Sequence, residues 1–246
     1  LRYKFEELYE NNEYYISIPS GILESIGDNY WGEAIDPDGI KRDRITEHKQ
    51  HLHDIKYIIE YINYLKPGKV MDIGCGPGWL LSSLSSEWDK YGNEPDEYAI
   101  ELSKDATISF SNEQIVEGLY NDNYFDVIVM HHVIEHIPDP INFIISVEKI
   151  LKPGGTLILG TPDFDSGCAR LFGRNYRLLH DPTHISLFSN DSMHRFLRDF
   201  GFQISRVEYP FFNTRFFTEE NLLKLFNNQN TSPPFYGNFM TFFCRK

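Results

Sequence analysis

The chain has 246 residues, of which 41% are hydrophobic and 24% charged, which is ordinary for a globular protein long enough to bury a core. Its formal net charge of −13 disfavours nucleic acid as a partner, because a phosphate backbone would be repelled over most of the surface. No membrane-spanning run or secretory signal is visible and the three cysteines form no C-x-x-C pair, so we expect a cytoplasmic protein without disulfides.

Residues 1–66 are predicted to form an N-terminal cap followed by a long helix. Residues 1–45 are polar and aromatic with two turn signals, which indicates little regular structure. From Thr46 to Lys66 isoleucine and leucine repeat at helical spacing, and Pro67-Gly68 ends the pattern.

Residues 67–246 are predicted to form one α/β domain, because strands and helices alternate as in parallel β-α-β units. The predicted strands are 69–73, a short one ending near Glu94, 125–130, 156–160, 202–209 and 238–244. Asp139 and Pro140 begin a helix, and residues 152–155 are predicted to turn. About forty residues then separate Thr161 from Phe202, so residues 162–200 are predicted to form a lid with a helix of its own.

The most informative segment is V-M-D-I-G-C-G-P-G, residues 70–78. Its glycines, at 74, 76 and 78, allow the backbone to approach a ligand closely and to adopt positive φ. Glu94 lies 20 residues after Gly74, where an acidic residue accepts hydrogen bonds from ribose hydroxyls. The pair predicts a nucleoside cofactor, although the third glycine is misplaced for the dinucleotide fingerprint. A plain strand–helix turn beside an exposed glutamate is the structural alternative.

These segments resemble the ordered motifs of class I methyltransferases. The resemblance covers roughly residues 68–162, through D-I-G-C-G-P-G, the later acidic residue, F-D-V-I-V-M-H-H-V-I-E-H-I-P-D-P and L-K-P-G-G-T-L-I-L-G-T-P. The following T-P-D-F-D to H-D-P-T-H-I-S-L-F-S stretch resembles a bacterial subgroup of that superfamily. The resemblance implies a Rossmann-like, seven-stranded, mostly parallel sheet whose last strand is antiparallel. It also implies S-adenosylmethionine as cofactor, released as S-adenosylhomocysteine.

The resemblance further implies a set of cofactor-binding residues. They are Asp72, Gly74, Cys75, Gly76, Glu94, Asn112 and His131. The first four surround the methionine end, where Cys75 is interpreted as small filler and not as a nucleophile. Glu94 holds the ribose, and His131 at the tip of the fourth strand lies near the methionine. Asn112 is the candidate adenine contact, with Phe110 as a ring contact.

A histidine is expected to take the proton when the methyl acceptor is an oxygen. His184 is the first candidate, because its segment follows the fifth strand and can fold over the carboxyl ends of the strands, where ligands bind in such sheets. His136 is the next candidate. The alternative for each is a structurally bonded or surface imidazole.

The run His132-Val133-Ile134-Glu135-His136 resembles the E-x-x-E-H run of ubiquinone-pathway O-methyltransferases, a reported metal site in that family. Here a histidine replaces the first glutamate. If a metal is bound, His132, Glu135 and His136 are the candidate ligands. The favoured interpretation is that Glu135 and His136 orient the helix and loop, which predicts that activity survives treatment with a chelator.

The leading functional hypothesis is O-methylation of a small molecule such as a sugar or glycan precursor, by analogy with relatives of the later motif. N- or C-methylation of another metabolite would use the same cofactor site. Methylation of RNA would need a basic face, which the net charge disfavours. A binding module without catalysis is the alternative of a different class, and the intact Gly74, Gly76 and Glu94 argue against it. The sequence indicates no oligomeric state.

Overall fold

The computed structural model describes residues 10–11, 13–17, 33–35, 41–113, 115, 118–181, 183–210, 216–234 and 238–246. The strands are β1 (Glu10–Asn11), β2 (Ile16–Ser17), β3 (Glu33–Ile35), β4 (Lys41–Asp43), β5 (Lys69–Ile73), β6 (Asp89–Asn93), β7 (Ile108–Ser111), β8 (Phe125–His131), β9 (Leu151–Pro162), β10 (Ser186–Leu187), β11 (Gln203–Glu208) and β12 (Phe239–Arg245). The α-helices are α1 (His48–Asp54), α2 (Lys56–Tyr64), α3 (Trp79–Ser82), α4 (Glu97–Glu101), α5 (Pro140–Ile150), α6 (Gly167–Phe172), α7 (Asn190–Asp199) and α8 (Glu219–Lys224).

Seven strands form one sheet in the order β11-β12-β9-β8-β5-β6-β7. The five strands from β5 to β9 pair in parallel, whereas β12 runs antiparallel to both of its neighbours, β9 and β11. The predicted α/β fold with an antiparallel last strand is therefore confirmed. Because parallel strands share a direction, the residues after β5, β6, β8 and β9 meet at one edge of the sheet.

Both faces of the sheet are buried under helices, which is why its central strands are almost wholly apolar. On one face Ile58 and Ile62 of α2 pack with Val70 and Val129. On the other face the helices α5 and α7 pack their apolar residues, such as Ile144 and Phe196, against the sheet. Asp139 begins α5 by accepting a hydrogen bond from the N–H of Asn142, with Pro140 in the first turn as predicted.

The predicted helix from Thr46 to Lys66 is interrupted, and this prediction was wrong at Ile55. That residue is buried and leaves helical geometry at φ −99°, ψ 10°. The two halves pack against different parts of the protein. Helix α1 buries no residue and places the rings of His48 and His51 against Trp79, whereas α2 buries its apolar face in the core.

The predicted turn at residues 152–155 lies within strand β9. The pairing steps from Phe125 opposite Leu151 to Val127 opposite Thr156, so the intervening residues bulge out of the ladder. Gly154 at the bulge has φ +74°, a left-handed value that suits glycine. Strand β9 therefore begins at Leu151, five residues before the predicted start at Thr156. The apolar run that follows the bulge is buried.

The described residues of the segment 162–200 include the α-helices α6 and α7 and the short strand β10. In this segment β10 pairs with β2 of the N-terminal region, where Leu187 lies opposite Ile16. Tyr15 packs its ring against Phe188, with centroids 5.3 Å apart. The N-terminal region, predicted to have little regular structure, therefore contributes strands β1 to β4, and two of them share a small sheet with the predicted lid.

Within the described part of the chain, every helix is too short or too polar to reach across a lipid bilayer.

Candidate active site

The loop between β5 and α3 has the close-approach geometry that its glycines predict. Gly74, Gly76 and Gly78 have φ of 70°, 52° and 74°, values that residues with a side chain rarely adopt. A Cβ atom on Gly74 would stand 2.5 Å from Cγ2 of Val133, so the loop also passes directly against the end of β8. The N–H of Gly74 donates to the carbonyl of Asn93, 2.7 Å away, and this bond fixes the loop to β6.

Glu94 lies directly beneath this loop. One carboxylate oxygen accepts the N–H of Gly76 at 2.8 Å, and the other accepts the N–H of Asp96 at 3.1 Å. Each oxygen keeps a second lone pair, which is what a ribose hydroxyl needs. Burial raises the pKa of Glu94, and the two backbone hydrogen bonds oppose that rise. The side chain that was predicted to hold the ribose is therefore fixed in place before a ligand arrives.

Asp72 is a second buried carboxyl beside the first. Burial, together with the charge of Glu94, raises the pKa of Asp72 to about 8. An environment that disfavours negative charge to this degree favours a ligand that carries positive charge. S-adenosylmethionine has a sulfonium and an ammonium group, so the two buried carboxyls and the glycine loop both fit this cofactor.

The remaining predicted cofactor contacts differ in how near they lie to the loop. Cys75 is buried, and burial raises the pKa of its thiol so far that it stays protonated, as expected for a filler residue. Phe110 packs beside Gly78, where an added Cβ would stand 3.0 Å from its ring. Asn112 is exposed just after β7 and donates its amide to Glu97 at 2.9 Å.

His131 lies at the end of β8, level with the glycine loop, because Met130 pairs with Ile73. Its ring packs on Gly160 of β9 and makes a perpendicular contact with the ring of His132, with centroids 4.5 Å apart. Burial lowers the pKa of His131 well below its usual value. The imidazole is therefore neutral at physiological pH.

His132 and Thr161 both bind the fully buried carboxylate of Glu135. His132 has φ +60°, and its Nδ1 donates to one carboxylate oxygen at 3.0 Å. The hydroxyl of Thr161 donates to the other oxygen at 2.9 Å. Burial alone would raise the pKa of Glu135, but the hydrogen bond from His132 and the imidazoles of His136 and His184 hold it at about 2. The carboxylate is therefore charged.

His136 and His184, the two candidate bases, come together although 47 residues separate them in the chain. Their ring centroids are 5.0 Å apart. Nδ1 of His136 contacts the carbonyl of Thr183 at 2.9 Å, and Nδ1 of His184 contacts the carbonyl of Leu178 at 2.7 Å. Because a carbonyl only accepts, Nδ1 carries the hydrogen in both rings, and Nε2 is left as an acceptor when the ring is neutral. Burial lowers the pKa of His184, which keeps it neutral.

Glu135, His136 and His184 form the group most suited to hold a metal ion among the described residues. They offer one ligand atom each, and these atoms all lie within 4.8 Å of one another. His132, which the sequence suggested as a ligand, instead hydrogen-bonds to Glu135. Sequence reasoning missed Thr161 at the end of β9. Asp181 also lies 3.8 Å from Nε2 of His184.

Comparison with known proteins assigns the family. The family model described as a methyltransferase domain matches residues 44–207. An uncharacterized methyltransferase of Schizosaccharomyces pombe is 26% identical over 171 residues, which are 61% of this chain and 60% of that protein. The ubiquinone biosynthesis O-methyltransferase of Vibrio cholerae is 33% identical over 117 residues, 44% of this chain and 47% of that protein. The chain thus spans only about half of the length of these curated relatives.

The fold is shared with solved structures. A SAM-dependent methyltransferase from Archaeoglobus fulgidus superposes with a TM-score of 0.59 at 17% identity, covering 82% of this chain and 98% of that one. The sheet order, the glycine loop and the buried Glu94 agree with the family assignment. The chain is therefore a member of the methyltransferase-domain family.

Proposed function

We propose that this protein transfers a methyl group from S-adenosylmethionine to a hydroxyl oxygen of a small molecule, and that a sugar or glycan precursor is the first acceptor to test. The observation that carries the proposal is the neutral imidazole of His184. Its Nδ1 hydrogen is used by the carbonyl of Leu178, so that Nε2 is a proton acceptor next to His136. Oxygen acceptors need such a group, because the hydroxyl proton must leave as the methyl group arrives.

On the cofactor side, the chain supplies binding and orientation. Glu94 would accept hydrogen bonds from the ribose hydroxyls, and Asp72 would face the positively charged end of the ligand. Gly74, Cys75 and Gly76 would line the methionine, since a side chain at the two glycines would strain the positive-φ loop. The sulfonium supplies a good leaving group by itself, so the protein mainly has to align acceptor, methyl and sulfur.

On the acceptor side, Val133 connects the two halves of the site. It touches the glycine loop at Gly74, and it lies two residues before Glu135 in the same turn. His131 and His132 stand at the end of β8 between the two halves. We expect the acceptor to bind over this edge, with the segment of residues 162–200 as the lid of the site and the N-terminal region as its cap.

The similarity to the ubiquinone biosynthesis O-methyltransferase extends this proposal to a second hydroxyl class. That relative is 33% identical over the matched region, and its name specifies methylation on oxygen. A phenolic acceptor is therefore tested beside the sugars. The acidic net charge of −13 makes RNA the weaker choice.

The test is a transfer assay with S-adenosylmethionine labelled in its methyl group. The acceptor panel contains nucleotide sugars, free sugars, catechols and hydroquinones, with amines as the matched nitrogen acceptors and unfractionated tRNA as the polyanion control. Alkali-stable label on a hydroxyl of a small molecule is expected. Label found only on nitrogen, carbon or RNA would overturn the proposal, as would the absence of S-adenosylmethionine binding in calorimetry.

A further inference from the structure

Phe239, the first residue of β12, is a partly exposed aromatic side chain at the active-site edge of the sheet. The five residues that follow it, Met240 to Cys244, are all buried. Phe239 pairs with Pro162 at the end of β9, so it lies at the edge where β5 and β8 also end. Ligands bind at this edge in such sheets, and a ring that the core leaves partly uncovered there offers apolar surface to a ligand.

Two histidine rings continue from Phe239 toward the cofactor loop. The ring of His132 makes a perpendicular contact with the ring of Phe239, with centroids 4.9 Å apart. His131 makes the same kind of contact with His132 at 4.5 Å, and its neighbour Met130 pairs with Ile73 just before the glycine loop. Phe239, His132 and His131 therefore form a continuous row of rings from β12 across the end of β9 to β8. We call this row the ring wall.

The two histidine rings of the wall are held in place by their surroundings. Gly160 of β9 pairs with His131, and a Cβ at Gly160 would stand 2.2 Å from Cδ2 of that ring, so a side chain there would displace it. Nδ1 of His132 hydrogen-bonds to the buried Glu135 at 3.0 Å. The backbone of His132 has φ +60°, a value that residues other than glycine rarely adopt and that is found most often at ligand-binding sites.

Helix α1 approaches the ring wall from the side of the cofactor loop. The rings of His48 and His51 contact Trp79, which begins the helix after that loop, with centroids 5.7 and 5.9 Å away. Burial lowers the pKa of His131, and the nearby charges of His132 and His51 lower it further, so α1 also lies near the wall. No residue of α1 is buried, so the helix covers this region without filling the core beneath it.

We propose that the ring wall binds the methyl acceptor by the apolar face of a ring, so that the protein methylates hydroxylated cyclic molecules in preference to open-chain ones. The inference rests on the proposed function and specifies its substrate class. A phenol and the C–H face of a sugar ring offer the same apolar surface to an aromatic side chain. Phe239 is the specificity-determining residue, because its ring has no polar atom and contributes only this contact. A ring held here would lie between the glycine loop and the turn that leads to His136.

The first measurement is a calorimetric titration of protein saturated with S-adenosylhomocysteine, using catechol, methyl glucopyranoside and open-chain glycerol as probes. We expect a cyclic probe to bind about tenfold or more tightly than glycerol, and the better of the two rings identifies the acceptor as phenol or sugar. Phe239→Leu keeps an apolar side chain without the ring and should weaken cyclic binding about fivefold, whereas Phe239→Tyr should retain it. Phe226→Ala is the matched control, because that ring is 89% exposed beyond α8. Equal affinity in wild type and Phe239→Leu, or no preference for a cyclic probe, would overturn the inference.

A second measurement separates this inference from the proposed function. With the cyclic acceptor that binds, Phe239→Leu should raise KM about fivefold while kcat stays near that of wild type, because the ring acts by binding and not on the reacting atoms. S-adenosylmethionine affinity and thermal melting of the same preparation report on folding. Methyl transfer to oxygen with an unchanged KM in Phe239→Leu would reject the ring wall and leave the proposed function standing. Cyclic binding that depends on Phe239, without methyl transfer to oxygen, would do the reverse.

Discussion

Two buried acidic sites lie at the same edge of the sheet and have opposite electrostatics. After β5, burial and the charge of Glu94 raise the pKa of Asp72 to about 8. After β8, Glu135 is buried even more completely, yet the hydrogen bond from His132 and the nearby imidazoles hold its pKa at about 2. Burial raises the pKa at both places, and the donors and imidazoles around Glu135 account for the difference between them. The first site lacks a positive partner and favours a cationic ligand, whereas the second carries donors of its own.

The largest expected effect is a loss of methyl transfer without a loss of cofactor binding. His184→Ala should reduce methyl transfer by about 10²–10⁴-fold, the usual contribution of a group that handles the acceptor proton. The affinity for S-adenosylmethionine should stay near that of wild type, because Glu94 and the glycine loop are untouched. Steady-state rates and calorimetry on one preparation check this, with His180→Ala as control. Turnover per folded molecule within a few-fold of wild type would remove His184 from the reaction.

The next effect tests the cofactor half. Glu94→Ala should weaken S-adenosylmethionine binding about tenfold or more, because charge-assisted hydrogen bonds contribute roughly 1.5–3 kcal/mol each. The chain should still fold, since the N–H groups of Gly76 and Asp96 can bind water instead. Calorimetry and thermal melting check both parts, and Glu101→Ala on the exposed face of α4 is the control. An unchanged Kd would show that Glu94 is outside the site.

The third effect uses pH to distinguish the two acidic sites. The charged form of Asp72 attracts the cofactor, and that form predominates only above its pKa of about 8. The Kd for S-adenosylmethionine should therefore fall about tenfold between pH 7 and pH 9 as one proton leaves. Asp72→Asn should remove this dependence, apart from the titration of the ligand's own amino group, which both proteins share. Parallel pH profiles for the two proteins would assign the linkage elsewhere.

The raised pKa of Asp72 also determines how the free energy of unfolding of the ligand-free protein changes with pH. The folded-state pKa of Asp72 is raised above its unfolded value of about 3.9. Its contribution to the free energy of unfolding is therefore fully present below the unfolded pKa and is lost as the pH rises through about 8. Glu135 behaves oppositely, since its lowered pKa gives a contribution that is lost only in strong acid.

The smallest effect concerns the adenine. Asn112→Ala should weaken cofactor binding only severalfold, because a neutral hydrogen bond contributes roughly 0.5–1.5 kcal/mol and this side chain is exposed. Phe110→Leu is the informative comparison, since that ring packs beside Gly78. If Asn112→Ala is silent and Phe110→Leu is not, the ring alone holds the base. Kd values for S-adenosylhomocysteine measure both without turnover.

The glycine loop and the position of Glu94 beside it could be predicted because their signals are local. The three glycines of the loop lie within residues 74–78, and Glu94 comes directly after the next strand, β6. The cluster of Glu135, His136 and His184 was only half predictable. Glu135 and His136 adjoin in the chain, but His184 reaches them through the bond from Ile185 to the carbonyl of Glu135, a contact that no periodicity encodes. The break at Ile55 was missed for the same reason, because the partners of α1 and α2 are tertiary.

The insertion of β12 between β9 and β11 has a consequence for synthesis on the ribosome. The ribosome makes the N-terminal part of a chain first. The glycine loop, Glu94 and His184 are therefore all synthesised before residue 239, where β12 begins. Until then β9 and β11 have no partner on the sides that β12 will occupy, and open edges invite pairing with other chains. The N–H of Asp163, just beyond β9, bonds at 2.7 Å to the carbonyl of Asn238, which directly precedes the late strand. This bond ties closure of the sheet to the start of the 162–200 segment, and we expect the nascent protein to be most vulnerable to aggregation before β12 pairs.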